Sequence, residues 1–232
     1  MAEKHVVVRQ SQEDESRGKK SVYLIILLYV MSSNIIQQYK EFVGDLDVLL
    51  NRFSKLEVSN RWQQVLTSRS TGIMGTGISF SSVSAIYKKM KDGSISLLNS
   101  AYNTDFSPVY ITGVCKVVDK EVPTCRVVSF DKIGFEGEYW ITYISADLST
   151  FVVSAPIVIL GKAVYQNFGV YVLTKDRTKY WANKKLQKEI NEKLIEYGYT
   201  NYFNKPVFSG ESNPIIDPVK EGQFSQSKYN FV

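Results

Sequence analysis

Side chains able to do chemistry are scarce in this chain. Its one histidine, His5, lies in a polar N-terminal stretch. Ser-His-Asp triads, Cys-His nucleophile pairs and most histidine metal sites are therefore excluded from the folded part. Two cysteines, Cys115 and Cys125, cannot build a cysteine-rich zinc site by themselves. They flank the turn around Lys120 symmetrically, which allows either a disulfide across a hairpin or two buried free thiols. The run Gly72-Ile73-Met74-Gly75-Thr76-Gly77 is glycine-rich, but a strand rather than a helix is predicted after it. A phosphate loop needs the helix N-terminus, so that reading fails. Catalysis would have to rest on carboxylates, lysine or tyrosine alone. The expectation is a protein that is not an enzyme and needs no metal or cofactor.

Composition points the same way. A chain of 232 residues with 44% hydrophobic and 13% aromatic residues can bury one ordinary core and still carry extensions. Fifteen Tyr and twelve Phe against six Pro favour a β-rich body, because aromatic side chains suit a pleated surface. The net charge of +5 is mild. Lys179, Lys184, Lys185 and Lys188 lie close to Glu189, Glu192 and Glu196, the pattern of a solvated helix face. With no basic stripe, nucleic acid is not an expected partner.

Residues 1–20 read as a disordered polar tail, and residues 21–36 as an apolar segment. The ten unbroken apolar residues Val22 to Met31 are short for a membrane span and fit a signal core, an uncleaved anchor or a buried helix. Membrane contact through 22–36, and a membrane-associated or secretory location, are the resulting expectations. From Ile35 the apolar positions run Tyr39, Phe42, Leu46, Leu49, Phe53 and Leu56, at intervals of four and three. That seam predicts one amphipathic helix over 35–57, lying on its own domain or pairing with a partner or a second copy.

Beyond Ser59 the pattern becomes eight short strand-like runs broken by turn signals. A helix comes next, with Leu186, Ile190, Leu194 and Tyr197 on one face and Gly198 placed for a left-handed cap. Residues 204–232, rich in Pro, Ser, Asn and Gly, read as an extended C-terminal arm. The strands predict a mainly β fold, an eight-stranded antiparallel up-and-down barrel over 59–203 flanked by the two helices.

This order of eight strands and a helix resembles the lipocalin family, in its bacterial and apolipoprotein-D-like branch. Asn60-Arg61-Trp62 stands where the family opens its first strand with Gly-x-Trp. Ala146-Asp147-Leu148 stands at the turn between the sixth and seventh strands. Val83 to Tyr87, Lys91-Asp92-Gly93 and Gly137-Glu138-Tyr139-Trp140-Ile141 look like further family segments. Lys175 stands where the family has an Arg lying across the Trp at the barrel base. The resemblance implies a base built on Trp62 and Lys175, and a loop containing Gly72–Gly77 across the open end. It also implies a cavity lined by Tyr139, Ile141, Tyr143, Val152, Ser154, Gly169, Tyr171 and Leu173, with Tyr87 and Leu66 from earlier strands. Such a lining suits a small hydrophobic ligand such as a lipid, fatty acid, sterol, retinoid or haem-like molecule, bound or carried without reaction. The alternative is a membrane-anchored accessory subunit of a larger assembly, a membrane complex or a virus particle, that uses the barrel as a scaffold.

Overall fold

The computed structural model describes residues 35–68, 81–103, 105–131, 136–159, 162–199 and 206–208, with side chains described outside 155–168 and 206–208. The polar tail, most of the apolar segment, Gly72–Gly77 and the C-terminal arm past 208 lie outside the described residues. The chain divides into two compact units, Met1–Glu41 and Phe42–Val232. Of the first, residues 35–41 are described, and they are helical.

The helix α1 (residues 35–43) stops at Gly44, whose φ of +75° is left-handed, and a new helix α2 (Leu46–Lys55) starts after Asp45. The single helix expected over 35–57 is therefore two. The reason is local: glycine takes the left-handed turn without a Cβ penalty, and the Asp45 carboxylate accepts the Val48 N–H at 3.2 Å as an N-cap. The apolar face of α2 then packs on the barrel of its own unit. Arg52 Nη1 donates to the Ile144 carbonyl at 2.6 Å, and the Phe53 ring lies 5.7 Å below the Arg126 guanidinium.

Eight strands form the barrel: β1 (Arg61–Ser68), β2 (Ser81–Lys89), β3 (Ile95–Tyr102), β4 (Pro108–Val117), β5 (Cys125–Phe130), β6 (Glu136–Ile144), β7 (Thr150–Ile159) and β8 (Lys162–Thr174). Each pairs antiparallel with its sequence neighbour, and β1 closes the ring by pairing with both β2 and β8. Closure removes the exposed edges that an open sheet would present. Above Gln63, β1 leaves β2 and instead pairs with β9 (Pro206–Phe208) on that side. Part of the expected arm is thus a strand.

One end of the barrel is closed by tight turns built on aspartate. Asp92 accepts from Ser94, Asp119 from the Glu121 N–H, and Asp147 from Ser145 and Ser149. A side chain that bonds its own backbone two residues on stabilises a turn before any sheet forms. At this end Trp62 Nε1 donates to the Val58 carbonyl at 3.1 Å, and its ring meets Phe151 edge-on at 4.6 Å. Lys175 Nζ lies 5.5 Å from the Trp62 ring centroid and 3.8 Å from Glu57.

After β8, Asp176 caps a short helix α3 (Arg177–Ala182), and Asn183 caps α4 (Lys184–Glu196). Leu186, Ile190 and Leu194 of α4 are buried, and Gly198 ends it at φ +83°. Three side-chain bonds hold this region on the outer face of β6 and β7: Tyr143 to Glu189, Tyr197 to the Thr142 carbonyl, and Tyr199 to Ser154. Among the described residues no helix is long and apolar enough to cross a membrane.

Candidate functional site

Which residues face the barrel interior is set by register, since directly opposed residues share a face. On β3 and β4 the pairs Ile95–Cys115, Leu97–Gly113, Asn99–Ile111 and Ala101–Val109 form the inward set. Val128 and Phe130 of β5 continue it opposite Cys115 and Gly113. Tyr139 and Ile141 of β6 join it, as do Phe151 and Val153 of β7 and Leu173 and Tyr171 of β8.

Near the closed end this interior is full. Trp62, Ile95, Leu97, Cys115, Ile141 and Phe151 are each at most 4% exposed. The hydroxyls of Tyr87 and Tyr139 meet at 2.6 Å. Their strands lie four places apart in a ring of eight, so two large side chains from opposite walls touch across the middle. Below them Leu56, Val58, Tyr87, Ile95, Cys115, Tyr139, Ile141 and Phe151 enclose a cavity of about 10 Å³, room for one water at most.

One charge is buried at this floor. Arg126 is 2% exposed and donates to the carbonyls of Pro123 at 2.7 Å, Gly93 at 3.2 Å and Cys115 at 3.4 Å. Carbonyl dipoles take its protons where water cannot. Burial pushes the Cys115 thiol up to about 12, against the lowering effect of the Arg126 charge, so it stays protonated and inert at neutral pH. Burial likewise raises Tyr87 and Tyr139, and lifts Tyr171 to about 12. All three phenols are neutral hydrogen-bonding groups.

Towards the other end the inward residues change character. Gly113, Ala101 and Gly169 occupy inward register positions, and Ala155 is paired with Gly169. Asn99, Val109 and Ile111 face inward yet stay half-buried. The outward Ile86 and Leu98 are 4% and 0% exposed. Val109 and Ile111 thus keep accessible surface, while the space beside Gly113 is taken by the Phe130 ring. Asn99 Oδ1 is itself buried without a hydrogen bond.

Comparison with known proteins agrees with this geometry. Residues 77–159 match the family described as a lipocalin-like domain. The barrel has a lipocalin-like fold. Among solved structures it is similar to lobster apocrustacyanin A1, at 10% identity and a TM-score of 0.52, covering 73% of this chain and 87% of that one. It is also similar to the siderocalin Ex-FABP, at 14% identity and a TM-score of 0.50, covering 69% of this chain and 99% of that one. At these identities the likeness is one of fold. No curated protein matches the chain.

Within this lipocalin-like barrel the expected lining residues separate into two groups. Tyr87, Tyr139, Ile141, Tyr171, Leu173 and Gly169 share the inward face. Tyr143, Val152, Ser154 and Leu66 do not. A bulge between Ile141 and Tyr143 shifts register by one residue, so Tyr143 opposes Val152 on the outer face and reaches Glu189. Phe151 and Val153 point inward instead, while Ser154 bonds Tyr199 outside. A second bulge, between Gln64 and Leu66, turns Leu66 outward and leaves Thr67 opposite Tyr171. Each slip inverts the parity of the residues beyond it. Cys115 and Cys125 are free thiols. Cys115 faces inward, whereas Cys125 opposes Trp140 on the other face, so no disulfide joins them. Parity alone does not find Arg126, Asn99 or Phe151.

Proposed function

We propose that this protein binds a small apolar molecule, without reacting with it, in the half of the barrel away from Trp62. The observation that carries the reading is the change in the inward wall. Packed large side chains at the base, where the Phe130 ring covers Gly113, give way to Ala101, Gly169 and the half-buried Val109 and Ile111. Small residues there leave volume, and apolar ones make it cheaper to fill with hydrocarbon than with water, at about 25 cal/mol per Å². The lipocalin-like fold supports the same class of function, and Ex-FABP is a siderocalin with dual ligand specificities. The test is titration with a neutral fluorescent apolar probe such as N-phenylnaphthylamine, then with retinol and fatty acids. Wild type should bind, and Gly169→Trp, which plugs the wall opposite Ala155, should weaken binding at least tenfold with the barrel still folded. Equal binding by both proteins overturns the placement.

One observation favours a second reading. Tyr87 and Tyr139 touch across the middle, so half of the interior is solid core. A scaffold subunit of a larger assembly, using residues 35–56 or the terminal extensions as contacts, needs no more than that. Absence of any probe binding by wild type would select this reading.

A further inference from the structure

We infer that the polar end of the ligand is an uncharged hydroxyl, held between the Tyr87–Tyr139 pair and Asn99. This deepens the binding reading above and rests on it. Two phenols carry two hydroxyl hydrogens, and the 2.6 Å contact between them uses one. The other has no acceptor among the bonds that Tyr87 and Tyr139 make. Asn99 supplies the complementary defect, since its Oδ1 is buried and accepts nothing. Asn99 opposes Ala85, two residues from Tyr87 on the adjacent strand, so the two side chains are diagonal neighbours on the inward face. One spare donor and one orphan acceptor thus belong to diagonal neighbours on the inward face, where the packed base ends.

Unmade bonds of this kind are costly in an apolar enclosure, and a group that satisfies both is favoured over one that satisfies either. An alcohol oxygen accepts the spare phenol hydrogen and donates its own hydrogen to Asn99. An ether or ketone accepts but leaves Asn99 unmatched. A hydrocarbon does neither. A carboxylate brings a full charge beside an acceptor oxygen, while the Arg126 guanidinium is turned to the carbonyls of Pro123, Gly93 and Cys115 through its Nε and Nη1. Chain and head are thereby assigned to opposite ends: hydrocarbon towards Ala101, Val109 and Ile111, hydroxyl on the tyrosine floor.

The experiment displaces N-phenylnaphthylamine from the full-length protein with decanol, decyl methyl ether and decane, which share one chain. Wild type should rank them in that order, with decanol bound about tenfold tighter than decane, roughly the worth of one or two made bonds. Tyr87→Phe/Tyr139→Phe removes both hydroxyls at nearly constant volume. It should still take up probe and decane but lose most of the decanol preference. Asn99→Leu should bring decanol down to the level of the ether, a second and independent readout if the double variant folds poorly. Equal displacement by decanol and decane in wild type, or a preference that survives the double variant, overturns the hydroxyl assignment while leaving apolar binding standing. No probe uptake by wild type overturns both.

Discussion

The two ends of one barrel solve different problems with the same eight strands. Near Trp62, strands contribute rings and branched chains that meet across the interior, and a cation and two turns' worth of carbonyls are sealed beneath them. Past Tyr87 and Tyr139 the same strands carry Ala101 and Gly169 at inward positions, and Val109 and Ile111 keep accessible surface although Val153 is fully buried. The halves differ in side-chain volume and also in pairing, since β1 leaves β2 above Gln63. A barrel of this size has just enough room for either its own side chains or one small ligand, and the function proposed above has this chain divide that room between the two. Stability should therefore be concentrated at the closed end, and ligand specificity at the boundary.

The largest effect should come from the base. Trp62→Ala should cost about 3–5 kcal/mol, because a fully buried indole leaves a cavity, a lost bond to Val58 and a lysine without its ring. Chemical denaturation measures it, and an unchanged midpoint would break the claim that the closed end holds the fold. Next in size is a contrast within one sheet. Leu97→Ala, at 1% exposure, should cost about 2–5 kcal/mol. Ile111→Ala, on the neighbouring strand but half-buried, should cost under about 1 kcal/mol, since little packing surrounds it. Equal costs would mean the two halves are packed alike.

Smaller effects test the outer face. Tyr143→Phe removes the hydroxyl that bonds Glu189 and should cost about 1 kcal/mol, with probe binding unchanged. Altered binding would return Tyr143 to the interior. Glu138, on the outer face of β6, is raised by burial to about 7, and its Oε2 has no hydrogen bond. Its carboxyl keeps its proton longer in the folded chain than in the unfolded one, where it titrates near about 4.3. Its contribution is thus complete below that pH and lost as pH rises through about 7. Glu138→Gln should flatten the fall in denaturation midpoint between about pH 5 and pH 8. A fall as steep as that of wild type would show that this carboxyl is solvated.

Much of the fold is legible in the chain because its signals are local. Turn aspartates, the period of α4 and the cap at Gly198 each act within a few residues, and the strands lie between them. The bulges after Ile141 and Gln64 have no such signal. Each depends on how two strands distant in sequence fit, and a shift of one residue is enough to exchange Tyr143 and Ser154 for Phe151 and Val153 on the inner face. The break at Gly44-Asp45 was written in the residues, a left-handed glycine followed by a capping carboxylate, yet the heptad seam runs through it without interruption. Periodicity records which face is apolar, not whether the backbone stays helical. The Tyr87–Tyr139 contact joins residues 52 apart and belongs to tertiary closure alone.

The most direct test of a divided interior is methyl-resolved NMR during titration with the apolar probe. Shifts confined to Ala101, Val109 and Ile111, with Ile95, Leu97 and Val128 unmoved, are the predicted result. Shifts centred on the base residues, or no shifts on the inward face at saturating probe, would contradict it.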